Sequence, residues 1–306
     1  MSKLKKIVIG LLVLLIAIPI IGFGALYLKL NSIYDKEEAK EIKQGITEED
    51  SNDENAEGIT NILLVGVDGE NLDKGNRSDS MIILTIDSKN KDIRLTSLAR
   101  DTYVDIPGKS TEKLTHAYAY GGPSLLIETI KNNFGISIDK YAAVSFSSFV
   151  KIIDAIGGVE INVTEAEVSQ INGVTKSGLQ TLTGEQALSY SRIRYIDSAY
   201  QRDNRQRTVL ESCYQKLSSL STSEILDIAN TLFRYTKTNM TPMEIISIAT
   251  KAVKINDKEF DQMEFPLEGH RKGYIISKEK GWIIEWEKDY NKNALKRFAG
   301  FLPQSC

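Results

Sequence analysis

The chain has 306 residues, 42% of them apolar, and a formal net charge of −3. That length and apolar content suffice for one large domain or two small ones. The acidic balance excludes general affinity for nucleic acid, so any basic character is local and aimed at a particular anion.

Lys3, Lys5 and Lys6 precede an uncharged apolar run from Ile7 to Leu28. The run is long enough to cross a bilayer as a helix, and the positive-inside tendency puts residues 1–6 in the cytoplasm. It is too long for a usual signal-peptide core and no small-x-small site closes it, so residues 7–28 are expected to be an uncleaved signal anchor. Everything after Lys29 then lies outside a cell membrane crossed once. Residues 35–57 are rich in Glu, Asp, Asn and Lys, with Ile42 and Ile46 the only large aliphatics. Such a composition cannot bury a core, so residues 29–58 are expected to be a flexible acidic tether and residues 59–306 the extracytoplasmic domain.

Continuous apolar runs at Thr60–Asp68 and Met81–Asp87 read as strands buried on both faces, and Ile93–Leu98 as a third strand. Residues 123–134 read as a helix ending at Gly135, Tyr141–Phe146 as a strand and Phe149–Ile156 as a helix. Val159–Val163 alternates as a half-buried strand. Gly184–Arg192, Asp203–Ser219, 222–232, 241–254 and 289–299 are expected helices, with a strand or short helix at Trp282–Trp286. Strands mixed with helices throughout predict an α/β sandwich around a mixed sheet. Cys213 and Cys306 could form one disulfide or remain two free thiols.

Five of the eleven arginines fall between Arg192 and Arg207, without a lysine among them. A stretch selected for charge alone would contain lysine. The planar guanidinium fork fits phosphoryl oxygens two at a time, so the cluster points to a polyanion. A solvated face with Arg–Asp pairs is the plainer reading, with Asp197 and Asp203 as partners. Asp68 closes the first strand and Asp79 precedes the second, with Arg77 between them. If those strands are neighbours, both carboxylates reach one sheet edge, where two aspartates plus phosphate oxygens make a Mg²⁺ environment. Arg100 and Asp101 follow the third strand, a favoured place for ligand groups in α/β sheets. His116 could be a general base, but a lone histidine in a Tyr/Ala segment is more often a packing residue. Nucleophile elbows, phosphate-cradling glycine loops and His/Cys metal spacings are missing from the sequence. Arginines with paired aspartates suit phosphoryl transfer, where positioning and electrostatic stabilisation dominate.

At Asn61–Asp68, Arg77–Met81, Leu98–Asp101, Ala117–Gly122, Asp154–Val159 and Tyr190–Arg194 the chain resembles the LytR-CpsA-Psr family, motif by motif and in order. The resemblance covers roughly residues 60–210. It implies an α/β/α sandwich with a mixed central sheet and an apolar pocket for a polyprenyl chain. It also implies transfer of a teichoic acid or capsular-type glycopolymer from undecaprenyl pyrophosphate to peptidoglycan in Gram-positive wall biogenesis. Carried over by motif, Asp68 and Asp79 would hold Mg²⁺, with Mn²⁺ as the alternative ion. Arg77, Arg100, Arg192, Arg194, Arg202 and Gln206 would bind the pyrophosphate, the five arginines doing the catalytic stabilisation. Arg205 and Arg207 are expected to be structural, for example pairing with Asp203 or Glu211. The family commonly carries Asp, an aromatic and Gly where this chain reads Ala199-Tyr-Gln201. Asp197 could substitute for that carboxylate. Hydrolysis of the same lipid donor, and non-catalytic presentation of it, remain the alternative functions. Direct DNA contact is excluded for a domain outside the membrane.

Overall fold

The computed structural model describes residues 27–45, 58–72, 74–194, 196–197, 199–219, 236–253, 255 and 260–302. The expected membrane span lies outside them apart from Tyr27 and Leu28. Among the described residues no helix is long and apolar enough to cross a membrane. Cys306 and the expected helix at 222–232 also lie outside them.

Three strands, β1 (Ile59–Val67), β2 (Ser78–Asp87) and β3 (Asp92–Leu98), form an antiparallel meander. Their near-continuous Ile, Leu and Val content follows from burial on both faces. β6 (Tyr141–Ser145) adds parallel to β1, and β10 (Asp261–Phe265) parallel to β3. β9 (Thr236–Thr238) closes the other edge antiparallel to β6, giving the order β10-β3-β2-β1-β6-β9. The sheet is therefore mixed. β1, β3, β6 and β10 all point their C-terminal ends to one edge, where β2 begins.

Side chains alternate between the two faces of the sheet. Leu63, Val65, Met81 and Ile83 meet α2 (Leu114–Phe134) and α8 (Lys288–Phe298) in one core. Ile62, Ile82, Ile86 and Leu95 meet α6 (Ala199–Ser219) and α7 (Pro242–Val253) in another. This is the expected α/β/α layering. A third apolar cluster joins the hairpin β7 (Val159–Val163) and β8 (Gly178–Leu182) to α3 (Phe146–Ala155), α4 (Glu165–Val168), α5 (Gly184–Ser191) and α6.

The flexible tether is corrected for residues 29–45, while residues 46–57 lie outside the described residues. Lys36–Gly45 forms a helix, α1, with Ala39 and Ile42 buried. Ile42 joins the core beneath α2, and Glu38 accepts from the Ser124 amide at 3.1 Å. Just before it, Asp35 N–H donates to Thr238 O at 2.7 Å and Thr238 N–H to Ile33 O at 3.0 Å. Two buried residues three apart on one face, Ala39 and Ile42, are enough for a docked helix even in a polar stretch. Of the expected alternatives at Trp282–Trp286 the strand is realised, as β12 (Gly281–Trp286), but its partner β11 (Arg271–Ser277) and the hairpin of β4 (Tyr103–Asp105) with β5 (Thr111–Lys113) were not expected.

Candidate active site

The edge where β1, β3 and β6 end gathers the residues singled out in the sequence. Asp68 directly follows β1, and its amide donates to Arg77 O at 2.9 Å across the β1–β2 connection. Asp79 lies within β2 rather than before it. The connection is pinned from α2: Tyr118, fully buried, donates its hydroxyl to Leu72 O at 3.0 Å, and Gly75 N–H donates to Ala119 O at 2.9 Å. The Ala117–Gly122 motif thus shapes the loop between the two aspartates.

Arg100 follows β3 and donates Nη1 to Asp79 Oδ1 at 2.5 Å. Asp101 Oδ2 stands 3.5 Å from Arg100 Nε, and Lys113 Nζ 3.6 Å from Asp101 Oδ1. Burial works to lower the Arg100 pKa, but the charges of Asp79 and Asp101 outweigh it and hold it above the ordinary value. Asp68 carries no side-chain hydrogen bond or ion pair among the described residues, nor does Arg77, which is exposed. Among those residues no group of three or more His, Cys, Asp or Glu side chains could hold a metal. Two carboxylates at one strand end fit a hard cation that takes its other ligands from substrate oxygens and water.

Arg192 caps α5 at its C-terminus and lays its guanidinium over the Phe146 ring, 4.8 Å from the centroid. Asp154 fixes α5 from the side, accepting from the Gly184 amide at 2.7 Å. A Cβ on Gly184 would stand 2.2 Å from Val150 O, so only glycine lets α5 pack so close to α3. Gly158 turns at φ +86° against Leu182 O, 2.7 Å from where its Cβ would be. The Asp154–Val159 motif is thereby a scaffold for Arg192. Arg194 is exposed in the connection to α6.

α6 starts at Ala199, four residues earlier than its expected boundary at Asp203, and places three buried arginines in two turns. Arg202 is held by its neighbour, donating Nη2 and Nε to Asp203 Oδ1 at 3.0 and 3.2 Å. Burial raises the Asp203 pKa against the opposing charges of Arg202 and Arg207, with the Asp101 charge adding to the rise. Arg205 donates Nε to Glu167 Oε1 at 2.6 Å and both terminal nitrogens to Asp197. Arg207 reaches Ser97 Oγ at 2.6 Å and Gln262 Oε1 at 2.8 Å, fastening α6 to β3 and β10. Arg205 and Arg207 are structural as expected, but with partners other than Asp203 and Glu211. Asp197 is corrected as the substitute carboxylate: it is committed to Arg205. His116 contacts Glu112, with Nδ1 3.3 Å from Oε2.

Beneath this edge lies a cavity of about 190 Å³, on the sheet face covered by α6. Leu64, Ile82, Ala142, Phe149, Leu188 and Leu210 line it, with Arg192 and Gln206 as polar residues among them. An apolar hole opening between an arginine and a glutamine suits a molecule with a hydrocarbon tail and an anionic head. The resemblance implies an apolar pocket, but the lining of this cavity could not be read from motifs, because its walls come from strands and helices far apart in sequence.

A model of the LytR_cpsA_psr family matches residues 25–289. The chain belongs to this family. It is 38% identical over 259 residues to the "Polyisoprenyl-teichoic acid--peptidoglycan teichoic acid transferase TagU" of Enterococcus faecalis, covering 81% of this chain and 84% of that one. The Bacillus cereus protein of the same name is 32% identical over 278 residues, covering 88% and 90%. A solved structure described as "TagT bound to LIIa-WTA" superposes with a TM-score of 0.67 at 26% identity, over 80% of this chain and 92% of that one. The six motifs of this family member thus divide between residues gathered at the sheet edge and residues that shape its frame.

Proposed function

We propose that the protein is a membrane-anchored transferase that moves a glycopolymer from a polyprenyl pyrophosphate carrier to peptidoglycan, outside the cell and with Mg²⁺. The observation that carries this reading is the apolar cavity bordered by Arg192 and Gln206, directly below the arginines and the Asp68/Asp79 edge. The curated names of the relatives favour the same substrate pair. An undecaprenyl tail would occupy the cavity and its pyrophosphate would meet Arg77, Arg100, Arg192, Arg194, Arg202 and Gln206.

A hydroxyl of the acceptor glycan attacks the phosphorus that bears the polymer. The new P–O bond joins polymer phosphate to acceptor, the pyrophosphate P–O bond breaks, and polyprenyl phosphate leaves with the hydroxyl proton. Arg100, oriented by Asp79, and Arg192, seated on Phe146, spread the charge that develops on the phosphoryl oxygens. Asp203 holds the Arg202 fork in place. Mg²⁺ held by Asp68 and Asp79 would supply further charge neutralisation.

Release of polyprenyl phosphate from the lipid donor, measured with and without peptidoglycan, tests the reading. Transfer requires release that depends on the acceptor. Equal release in both conditions would instead establish hydrolysis. D68N and D79N should each abolish the response to added Mg²⁺.

A further inference from the structure

The β11–β12 hairpin stands on the sheet face opposite the apolar cavity, since Trp286 packs on Phe134 and Phe265 in the α2 core. It is fastened to the anion site. Ile284 N–H donates to Asp101 O at 2.9 Å, and Thr102 and Ile284 form a parallel bridge. Arg271 pairs with Glu264 at 3.2 Å, at the end of β10. At the turn of the hairpin, a Cβ on Gly281 would stand 3.8 Å from Lys113 Nζ, the ammonium that neighbours Asp101.

The next residue, Trp282, is 49% exposed. A Cβ on Gly273 would lie 2.2 Å from Trp282 Cζ2 and 2.9 Å from Cε2. The indole therefore lies across Gly273, where any Cβ would displace it, with one ring face on the β11 backbone and the other open to solvent. Its cross-strand neighbour Ile275 is 69% exposed. A flat, immobilised indole with a free face presents its negative π surface to the C–H face of a sugar ring.

We propose that Trp282 and the β11–β12 hairpin form the platform on which the acceptor glycan strand lies. The inference rests on the transferase reading above and adds where the second substrate docks. In-line displacement places the attacking oxygen opposite the leaving group. The leaving polyprenyl phosphate belongs to the cavity on the α6 side, so the acceptor approaches from the hairpin side. Lys280 fastens the turn of the hairpin, turned inward to Tyr103 Oη at 3.0 Å, Thr111 O at 2.8 Å and Glu112 at 3.3 Å.

The test uses the full chain in detergent and measures binding of muramidase-released peptidoglycan glycan fragments, separately from transfer. W282L keeps an apolar side chain but loses the ring face, and should weaken fragment binding by about 3- to 10-fold. W282F should restore most of it, and L179A, an exposed apolar residue on β8, should not change it. Polyprenyl pyrophosphate should bind all of these alike. Unchanged fragment binding in W282L overturns the proposal. So does quenching of tryptophan emission by brominated phosphatidylcholine that disappears in W282F, because it would put the indole in the bilayer. Fragment binding that depends on Trp282, in a protein that transfers nothing, upholds the platform and sinks the transferase reading alone.

Discussion

Replacing Ala142 with Phe separates the cavity from the arginines. Ala142 is the second residue of β6, paired with Leu64 of β1 and Thr238 of β9, and lines the apolar cavity. A dry cavity of about 150 Å³ accommodates a benzene ring. By that measure the cavity of about 190 Å³ holds roughly seven or eight carbons of a polyprenyl tail. At about 0.8 kcal/mol per methylene removed from water, those carbons contribute about 6 kcal/mol at most. A phenyl ring at residue 142 would take about 150 Å³ of the space and leave room for one or two carbons. Lipid affinity should fall by about 10²- to 10³-fold, less than the full sum because part of the tail remains in contact with protein. Folding should change by about 1–3 kcal/mol or less, since the ring enters existing space. Titration of the full chain with a polyprenyl pyrophosphate and with inorganic pyrophosphate reads both ends of the ligand. The first should weaken and the second should not. A folded A142F protein with wild-type affinity for the lipid would refute the assignment of this cavity to the tail.

Arg205→Met removes the partner of buried Glu167 and of Asp197, and breaking such a pair costs about 3–5 kcal/mol. Calorimetry should show a fall in Tm of about 6–20 °C, with pyrophosphate affinity per folded molecule unchanged; a lost affinity at intact stability would make Arg205 a ligand. Glu264 gives a pH signature. Burial pushes its carboxyl up to about 7, against the opposing charge of Arg271. The folded state therefore holds this proton more tightly than the unfolded chain. The stabilising contribution is complete below about pH 4.5 and is lost as pH rises through about 7. Relative to E264Q, the wild type should lose about 1–2 kcal/mol of stability between pH 5 and 8, after allowance for solvent screening. Urea unfolding at several pH values measures this, and a difference that stays constant with pH contradicts it.

The parts of the fold legible in the sequence are those coded by local pattern. β1, β2 and β7 announce themselves by apolar runs or alternation, and α7 and α8 begin and end within one or two residues of their expected bounds. β12 was legible as one of two alternatives, whereas β11 was illegible because Arg271–Ser277 puts a glycine and exposed isoleucines where a strand ordinarily shows alternation. α1 was illegible because its two buried residues, Ala39 and Ile42, stand among charges whose average reads as tether. At the site, Asp68, Asp79 and Arg100 could be placed from strand ends alone. The division of the arginine cluster could not. Arg205 and Arg207 are spent on Glu167, Ser97 and Gln262, residues far away in the chain. The scaffolding role of the Asp154–Val159 motif likewise depends on Gly184, which only tertiary packing brings near.

The central claim is transfer onto the wall at a centre where Asp197 is committed to Arg205. The direct measurement incubates the purified full chain with Mg²⁺, a labelled glycopolymer on polyprenyl pyrophosphate and peptidoglycan. The account predicts label covalently attached to peptidoglycan and an equal amount of polyprenyl phosphate released. Lipid donor bound, with no label on peptidoglycan, would contradict it.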